Sequence, residues 1–401
     1  MTETNATQPE LPAERDGVQA VERRNSDCIK YDSLAERFGR ADLIPLWVAD
    51  LDFAAPASVQ RALSQRAAHP IYGYTRYPPE FFAAIVHWQA TQHRWQIPPE
   101  AILPMPGTVP ALALIAQTFS QPGDGIVVQT PIYPPIHQLP ANHGRRLREN
   151  PLRHTATGYE IDWDDLDQEL AGAKLFILCA PHNPVGRVWR QEELQRIIAL
   201  CKTHGAMIVA DEVHADLCYA PHRHQPIAPL AAAEGVAVIT LNAPSKTFNI
   251  AGLNTAYAVV EDAGHRAALQ RRIEQAGLAS GNPFGIRALI AAYTEGRAWH
   301  AALMQTLAAR RKQVLDFFAT HDLGIRVQPP EATYLLWLDC RALMTRKELS
   351  DDAALARFFI DDAGLALNPG ISFGTPGTGF MRLNIGTDAT RIQQALDVIS
   401  Q

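Results

Sequence analysis

The 401-residue sequence predicts an α/β fold with a mostly parallel central sheet and a second, smaller α+β domain. Apolar, partly β-branched runs at Ile126–Val128, Leu175–Cys179, Met207–Ala210 and Val236–Leu241 read as buried strands. Between the second and third of these, Leu194, Ile197, Ile198 and Cys201 recur at helical spacing within Glu192–His204, and Gly205 supplies a stop signal. Strand, helix and strand then form a βαβ unit, the building block of parallel sheets covered by helices on both faces. Beyond Tyr257 the pattern turns helical around Arg266–Gln275. A further helical run, Pro283–Arg311, leaves the main domain toward strand-like segments at Tyr334–Leu338 and Phe380–Asn384.

In chain order, residues 1–20 are rich in Thr, Glu, Pro and Ala without periodicity and read as a flexible tail. Residues 21–57 read as the N-terminal segment of the small domain, 58–285 as the large domain and 286–401 as the C-terminal small domain. An amphipathic helix is expected from Ser58 to about Arg66, followed by a loop with exposed aromatics at Tyr72–Thr75. Pro104–Gly107 breaks the chain before Val109–Ala116, which reads as a helix with proline tolerated in its first turn. Free N–H groups and the positive end of the dipole at such a terminus suit an anion.

Composition limits the function. With 47% apolar and 19% charged residues the chain can bury a large core. No apolar run is long enough for a membrane helix, and Met1–Gln19 lacks the apolar stretch of a signal peptide, so a cytoplasmic location is expected. Five cysteines without a C-x-x-C pair argue for reduced thiols. A net charge of −6 with no basic run gives no footprint for nucleic acid, which leaves small molecules as partners.

The chemistry gathers at the ends of consecutive strands. Asn183 follows the run ending at Cys179, Asp211 follows Ala210, and Lys246 follows the run ending at Leu241. Ligands of open parallel sheets bind outside the carboxyl ends of the strands, so these side chains are expected to converge. Pyridoxal phosphate needs this set: a lysine amine able to form a Schiff base, a carboxylate for the pyridine nitrogen and a neutral donor for the ring oxygen. Taken singly, each has a blander reading as a solvated lysine, an acidic surface pair or a turn asparagine before proline. His214, Cys218, His222 and His224 lie close in sequence, but their spacing matches no known zinc pattern, and no metal is expected.

Six motifs, Leu46–Phe53, Tyr72–Thr75, Pro181–Gly186, Pro244–Asn249, Pro330–Leu335 and Gly379–Asn384, resemble fold type I pyridoxal-phosphate enzymes. Within them the chain is similar to the cystathionine β-lyases of the MalY/PatB type, a group allied to class I and II aminotransferases. The resemblance implies a homodimer with shared active sites and β-elimination from a cysteine S-conjugate to a thiol, pyruvate and ammonia. It assigns Lys246 as catalytic, Gly107 and Thr108 to the cofactor phosphate and Tyr133 to the pyridine face. It places His214 where many aminotransferases carry a tyrosine touching the ring oxygen. Arg382, whose guanidinium fork matches a carboxylate, and the backbone at Trp47–Ala49 are assigned to the substrate α-carboxylate. The serine and arginine that aminotransferases commonly place on the phosphate are replaced here by Ala243 and Asn254. Phosphate binding must then lean on Gly107, Thr108, Ser245 and the partner subunit's Tyr74. An aminotransferase shares the early steps, and a regulatory binding protein with secondary lyase activity is the alternative of another class.

Overall fold

The expected strands occupy the middle of a seven-stranded sheet in the computed structural model, which describes residues 18–400. The strands lie in the order Ile102–Met105, Ala256–Val259, Val238–Asn242, Met207–Asp211, Ala173–Cys179, Gly125–Thr130 and Arg146–Pro151. All neighbours are parallel except Ala256–Val259, which runs antiparallel to both of its partners. Period-two alternation sorts the side chains onto two cores. Ile126, Val128, Leu175, Ile177, Val209 and Ile239 pack on one face with helices Thr108–Phe119, Pro134–Asn142 and Ala263–Gln275. Val127, Phe176, Leu178, Ile208 and Ala210 pack on the other with helix Gln191–His204, which stops at the left-handed Gly205 (φ 66°). Near-continuous apolar strands are therefore the correct pattern for a sheet covered on both sides.

A third core joins Tyr257, Val259 and Ile102 at one sheet edge to helices Ala57–Ala68, Pro79–His93 and Pro283–Glu295. The expected helical run after Pro283 is thus two helices. Pro283–Glu295 stays with the large domain through Ile286 and Leu289, whereas Arg297–Thr320 delivers Leu303, Leu307 and Val314 to the small-domain core. The division between the two cores falls at Gly296, between these helices.

The small domain is built on an antiparallel sheet in the order Arg326–Val327, Leu335–Asp339, Phe380–Asn384, Asn368–Pro369. Its N-terminal segment is a strap. Ile44–Pro45 pairs in parallel with Leu365–Ala366, and Asn384 N–H donates to Leu46 O at 2.9 Å. Within the strap, Asp52 accepts from the buried Lys30 Nζ (3.0 Å), Tyr31 OH (2.7 Å) and Arg391 Nη1 (3.2 Å). Arg23 adds a bidentate pair with Asp50 at 2.8 and 2.7 Å. A carboxylate and an ammonium removed from water this completely are tolerable because each is paired. Most of the expected tail lies outside the described residues. At its end Gln19 O accepts from Ala54 N and Val21 N donates to Asp52 O, so residues 19–21 run beside 52–54 instead of hanging free.

Candidate active site

The parallel strands Ala173–Cys179, Met207–Asp211 and Val238–Asn242 end side by side, in the register Cys179↔Asp211 and Asp211↔Leu241. Their following loops enclose a cavity of about 280 Å³ lined by Asn183, Asp211, His214, Ser245 and Lys246. Gly107, Thr108, Tyr133 and Ala49 line the same cavity. Arg382 lies immediately behind it, in hydrogen-bond contact with Asn183.

The end of the cavity nearest helix Thr108–Phe119 suits an anion. Gly107 caps that helix at φ 146°, a backbone conformation side chains rarely adopt, and a Cβ there would stand 3.3 Å from Pro110 Cδ. The helix begins at the cavity wall, so its first N–H groups and dipole end point to the space where Ser245 and Thr108 add hydroxyls. Ala243 and Asn254 also line it, at the places where a serine and an arginine were expected to be missing. Thr255, which the motifs did not mark, also lines the cavity, with its hydroxyl donating to Leu253 O at 3.0 Å.

Lys246 Nζ donates to Ala49 O at 2.7 Å. Enclosure by protein lowers its pKa from the ordinary lysine value; the Asp50 charge opposes this, Arg382 reinforces it and Asp211 opposes it. Asp211 is pushed up to about 6, chiefly by burial, while the N–H of Val213 and the charge of Lys246 pull the other way. A buried carboxylate so destabilised gains strongly from a cationic N–H placed against it. His214 is held down to about 3 by burial first and then by the charges of Lys246 and Arg382, so it is a neutral imidazole at physiological pH. Its buried Nδ1 finds no partner among the described residues. Tyr133 is tied to the Asn183 loop by its N–H, which donates to Asn183 O at 3.1 Å.

Arg382 is 4% exposed, yet no carboxylate pairs with it among the described residues. Its guanidinium donates to neutral oxygens: Asn183 Oδ1 at 3.1 Å, Asn368 Oδ1 at 2.9 Å and Trp47 O at 3.0 Å. Its Nε has no partner, and its ring-facing side lies 4.9 Å from the Phe373 centroid. Burial brings it down to about 10, still a cation near neutral pH. Because the Asn183 oxygen faces a group that can only donate, the Asn183 amide nitrogen is the part left to donate into the cavity. Unpaired charge of this kind is costly unless an anion is bound, and an orphaned His214 Nδ1 together with an uncompensated Arg382 fits a site completed by cofactor and carboxylate substrate.

Tyr74 is the expected site residue that the single chain does not bring in. It is fully exposed, on a loop away from the cavity. Conversely, Tyr334 and Asn249 belong to the site's frame without having been singled out. Tyr334 OH donates to Ala49 O at 3.1 Å, and Asn249 bonds Leu51 N, Leu51 O and Phe53 O. Of the histidine–cysteine group, His214 faces this cavity, whereas Cys218, His222 and His224 line a separate one of about 930 Å³. There His224 Nε2 is paired with Glu212 at 2.9 Å. All five cysteines are free, and no described helix is long and apolar enough to cross a membrane.

Residues 41–399 match the family described as Aminotransferase class I and II. The chain is 37% identical over 377 residues to cystathionine β-lyase PatB of Bacillus subtilis (strain 168), with 94% of this chain and 96% of that protein covered. It is 33% identical over 385 residues to protein MalY of Escherichia coli (strain K12), with 95% and 97% covered. Among solved structures, cystalysin from Treponema denticola, which contains pyridoxal 5'-phosphate, superposes with a TM-score of 0.90 at 29% identity, covering 97% of this chain and 98% of that one. The sheet order, the strand-end lysine and these likenesses agree: the chain belongs to the class I and II aminotransferase family of fold type I pyridoxal-phosphate enzymes, in the group that holds the PatB and MalY cystathionine β-lyases.

Proposed function

We propose that the protein is a pyridoxal-phosphate-dependent carbon–sulfur β-lyase that converts cystathionine or another cysteine S-conjugate to a thiol, pyruvate and ammonia. The observation that carries this reading is the meeting of Lys246, Asp211 and His214 in one cavity, with the unpaired guanidinium of Arg382 behind it. When bound, pyridoxal phosphate supplies the electron sink that makes the Cα–H and Cβ–S bonds of an amino acid labile. Gly107, Thr108, Ser245 and the N-terminus of helix Thr108–Phe119 hold its phosphate. Asp211 would keep the ring nitrogen protonated, and the Asn183 amide and neutral His214 would address the ring oxygen.

Arg382 takes the substrate α-carboxylate in a bidentate pair, which replaces part of its contact with neutral oxygens and fixes the orientation of Cα. Lys246 would serve as the base that accepts the Cα proton at Nζ. Burial lowers its pKa from the ordinary lysine value, which favours the free amine that a base requires. The Ala49 carbonyl, which Lys246 and Tyr334 share, restrains the amine on its approach.

A homodimer completes the reading. The partner subunit's Tyr74 would supply the phosphate contact that Ala243 and Asn254 do not, and the exposure of the Tyr72–Thr75 loop supports this. Free cysteines support a reducing compartment, hence the cytoplasm. The test is incubation of the purified protein with cystathionine and related conjugates, following thiol, pyruvate and ammonia without an added keto acid. Equimolar release of all three is expected, and strict dependence on a keto acid would make the protein an aminotransferase instead.

A further inference from the structure

The lysine-bearing turn is held from behind by a buried carboxylate that none of the site's chemistry uses. Asp216 shares a loop with Asp211 and His214, but its side chain points away from the cofactor cavity. Its Oδ2 accepts from Thr247 Oγ1 at 2.9 Å, and Thr247, fully buried, is the residue next to Lys246. Its Oδ1 accepts from His93 Nε2 at 2.8 Å and Trp88 Nε1 at 3.1 Å, and its carbonyl meets His300 Nε2 at 2.8 Å.

The Trp88 donor is packed between other rings. The Trp88 indole stacks on Tyr293 at 4.9 Å and meets Phe248, the next residue of the lysine turn, edge-on at 5.4 Å. The turn itself closes through Phe248 N to Pro244 O and Ile250 N to Ser245 O. Asn249 fastens its far side to Leu51 and Phe53. Lys246 therefore lies between two tethers, one of them a charge-assisted hydrogen bond to the loop that carries Asp211 and His214.

We propose that Asp216 is a positioning residue: through Thr247 it fixes Lys246 relative to Asp211 and His214, so that amine, pyridine nitrogen and ring oxygen are addressed in one geometry. The proposal rests on the cofactor assignment above. The His93 and His300 rings, together with Trp88 and Thr247, surround the carboxylate; burial alone would push its pKa up, but the hydrogen bonds from His93 and Thr247 and the charges of His93 and His300 outweigh it and hold it down to about 2. Reactions that depend on a near-attack geometry lose rate steeply when a group shifts by an ångström or less.

The test compares Thr247→Val, which keeps the shape and removes the donor, with Thr247→Ser, which keeps the donor, in the loaded enzyme. Thr247→Val should lower kcat by about tenfold with KM within about twofold. It should also shift the pH midpoint of the absorbance of lysine-bound cofactor, while Thr247→Ser stays within about twofold of wild type in kcat and keeps the midpoint. Combining Thr247→Val with Asp216→Asn should add little to either single loss, as expected for partners in one bond. A coloured Thr247→Val enzyme with wild-type midpoint and kcat would overturn the inference alone. So would a rate loss matched entirely by lost cofactor content or thermal stability, with the midpoint unmoved. A wild type that shows no absorbance dependent on Lys246 would overturn the cofactor reading and this inference with it.

Discussion

Lys246 Nζ donates across 2.7 Å to the carbonyl oxygen of Ala49, so the amine on the large-domain sheet rests against the strap of the small domain. Tyr334 OH donates to the same oxygen at 3.1 Å. The strap is held to the large domain again by Asn249, whose amide bonds both Leu51 and Phe53. A residue pair so far apart in sequence meets because Asn384 Nδ2 binds Val48 O and, at 2.7 Å, Asp50 O, drawing the strap onto the end of the small-domain sheet. The Lys246 amine is thus held against a strap that Asn249 and Asn384 fasten from two sides.

Replacing Lys246 by alanine should remove both the lysine-linked absorbance of the bound cofactor and turnover. Proton transfer by a positioned side chain contributes about 10²–10⁴-fold, and here the same amine also anchors the cofactor, so the loss should lie at or beyond the upper figure. No other lysine lines the cavity to replace it. Borohydride reduction followed by peptide mapping checks the assignment; label on a different lysine in the wild type would refute it.

Asp211 predicts a pH dependence of stability in protein stripped of cofactor. Its folded pKa, about 6, stands above the ordinary 3.8, so between these values the folded state holds a proton that the unfolded state has released. Stability falls as pH rises through that window, and above about pH 6 the whole cost, on the order of 3 kcal/mol, is present. Cofactor-free Asp211→Asn should therefore melt above cofactor-free wild type at pH 8, and the gap should close toward pH 4. With cofactor loaded the order should reverse, because the ring N–H then pairs with the carboxylate. Equal melting of the two cofactor-free proteins at pH 8 would contradict the argument.

Arg382→Ala should raise KM for amino-acid substrates, with kcat/KM lower by roughly 10- to 100-fold, the range expected from about 1.5–3 kcal/mol for hydrogen bonds to a charged group. Cofactor content should be little changed, since Arg382 does not line the cofactor cavity. Arg382→Lys should recover only part of the loss, because a point-like ammonium lacks the planar fork. Steady-state kinetics on cystathionine decide it, and an unchanged KM in the alanine variant would place the carboxylate elsewhere.

The sheet and the strand-end residues were legible because both are local. Each apolar run is followed within a few residues by its polar group, so adjacency of three strands was enough to bring Asn183, Asp211 and Lys246 together. The frame around them was not legible. Tyr334 and Asn249 fall inside resembling motifs, but neither those motifs nor the residues around Asp216 reveal the partners, Ala49, Leu51 and Thr247, which come from other parts of the chain. The helix break at Gly296 was hidden for a similar reason: both flanking helices are good helix formers, and only their division between two cores separates them. Arg382 could be named from its motif, but its lack of an anionic partner is a property of the folded interior alone.

The last prediction concerns assembly. Tyr74 is the most exposed aromatic of a loop that also displays Ile71 and Tyr72, and it does not line the cofactor cavity of its own chain. The cofactor cavity, for its part, shows Ala243 and Asn254 where a hydroxyl and a cation would hold the phosphate, a deficit the partner subunit's Tyr74 would partly meet. Tyr74→Phe and Lys246→Ala homodimers should each be nearly inactive if the phenol is essential to the phosphate contact. In a mixed dimer one site has lost both residues and the other keeps both, so random remixing of equal amounts should restore about a quarter of wild-type activity. The recovered activity should release homocysteine, pyruvate and ammonia from cystathionine without a keto acid. Hybrids verified by mass that regain nothing would show that each site is built within a single chain, and the phosphate would then have to be held by Thr108, Ser245 and the helix N-terminus alone.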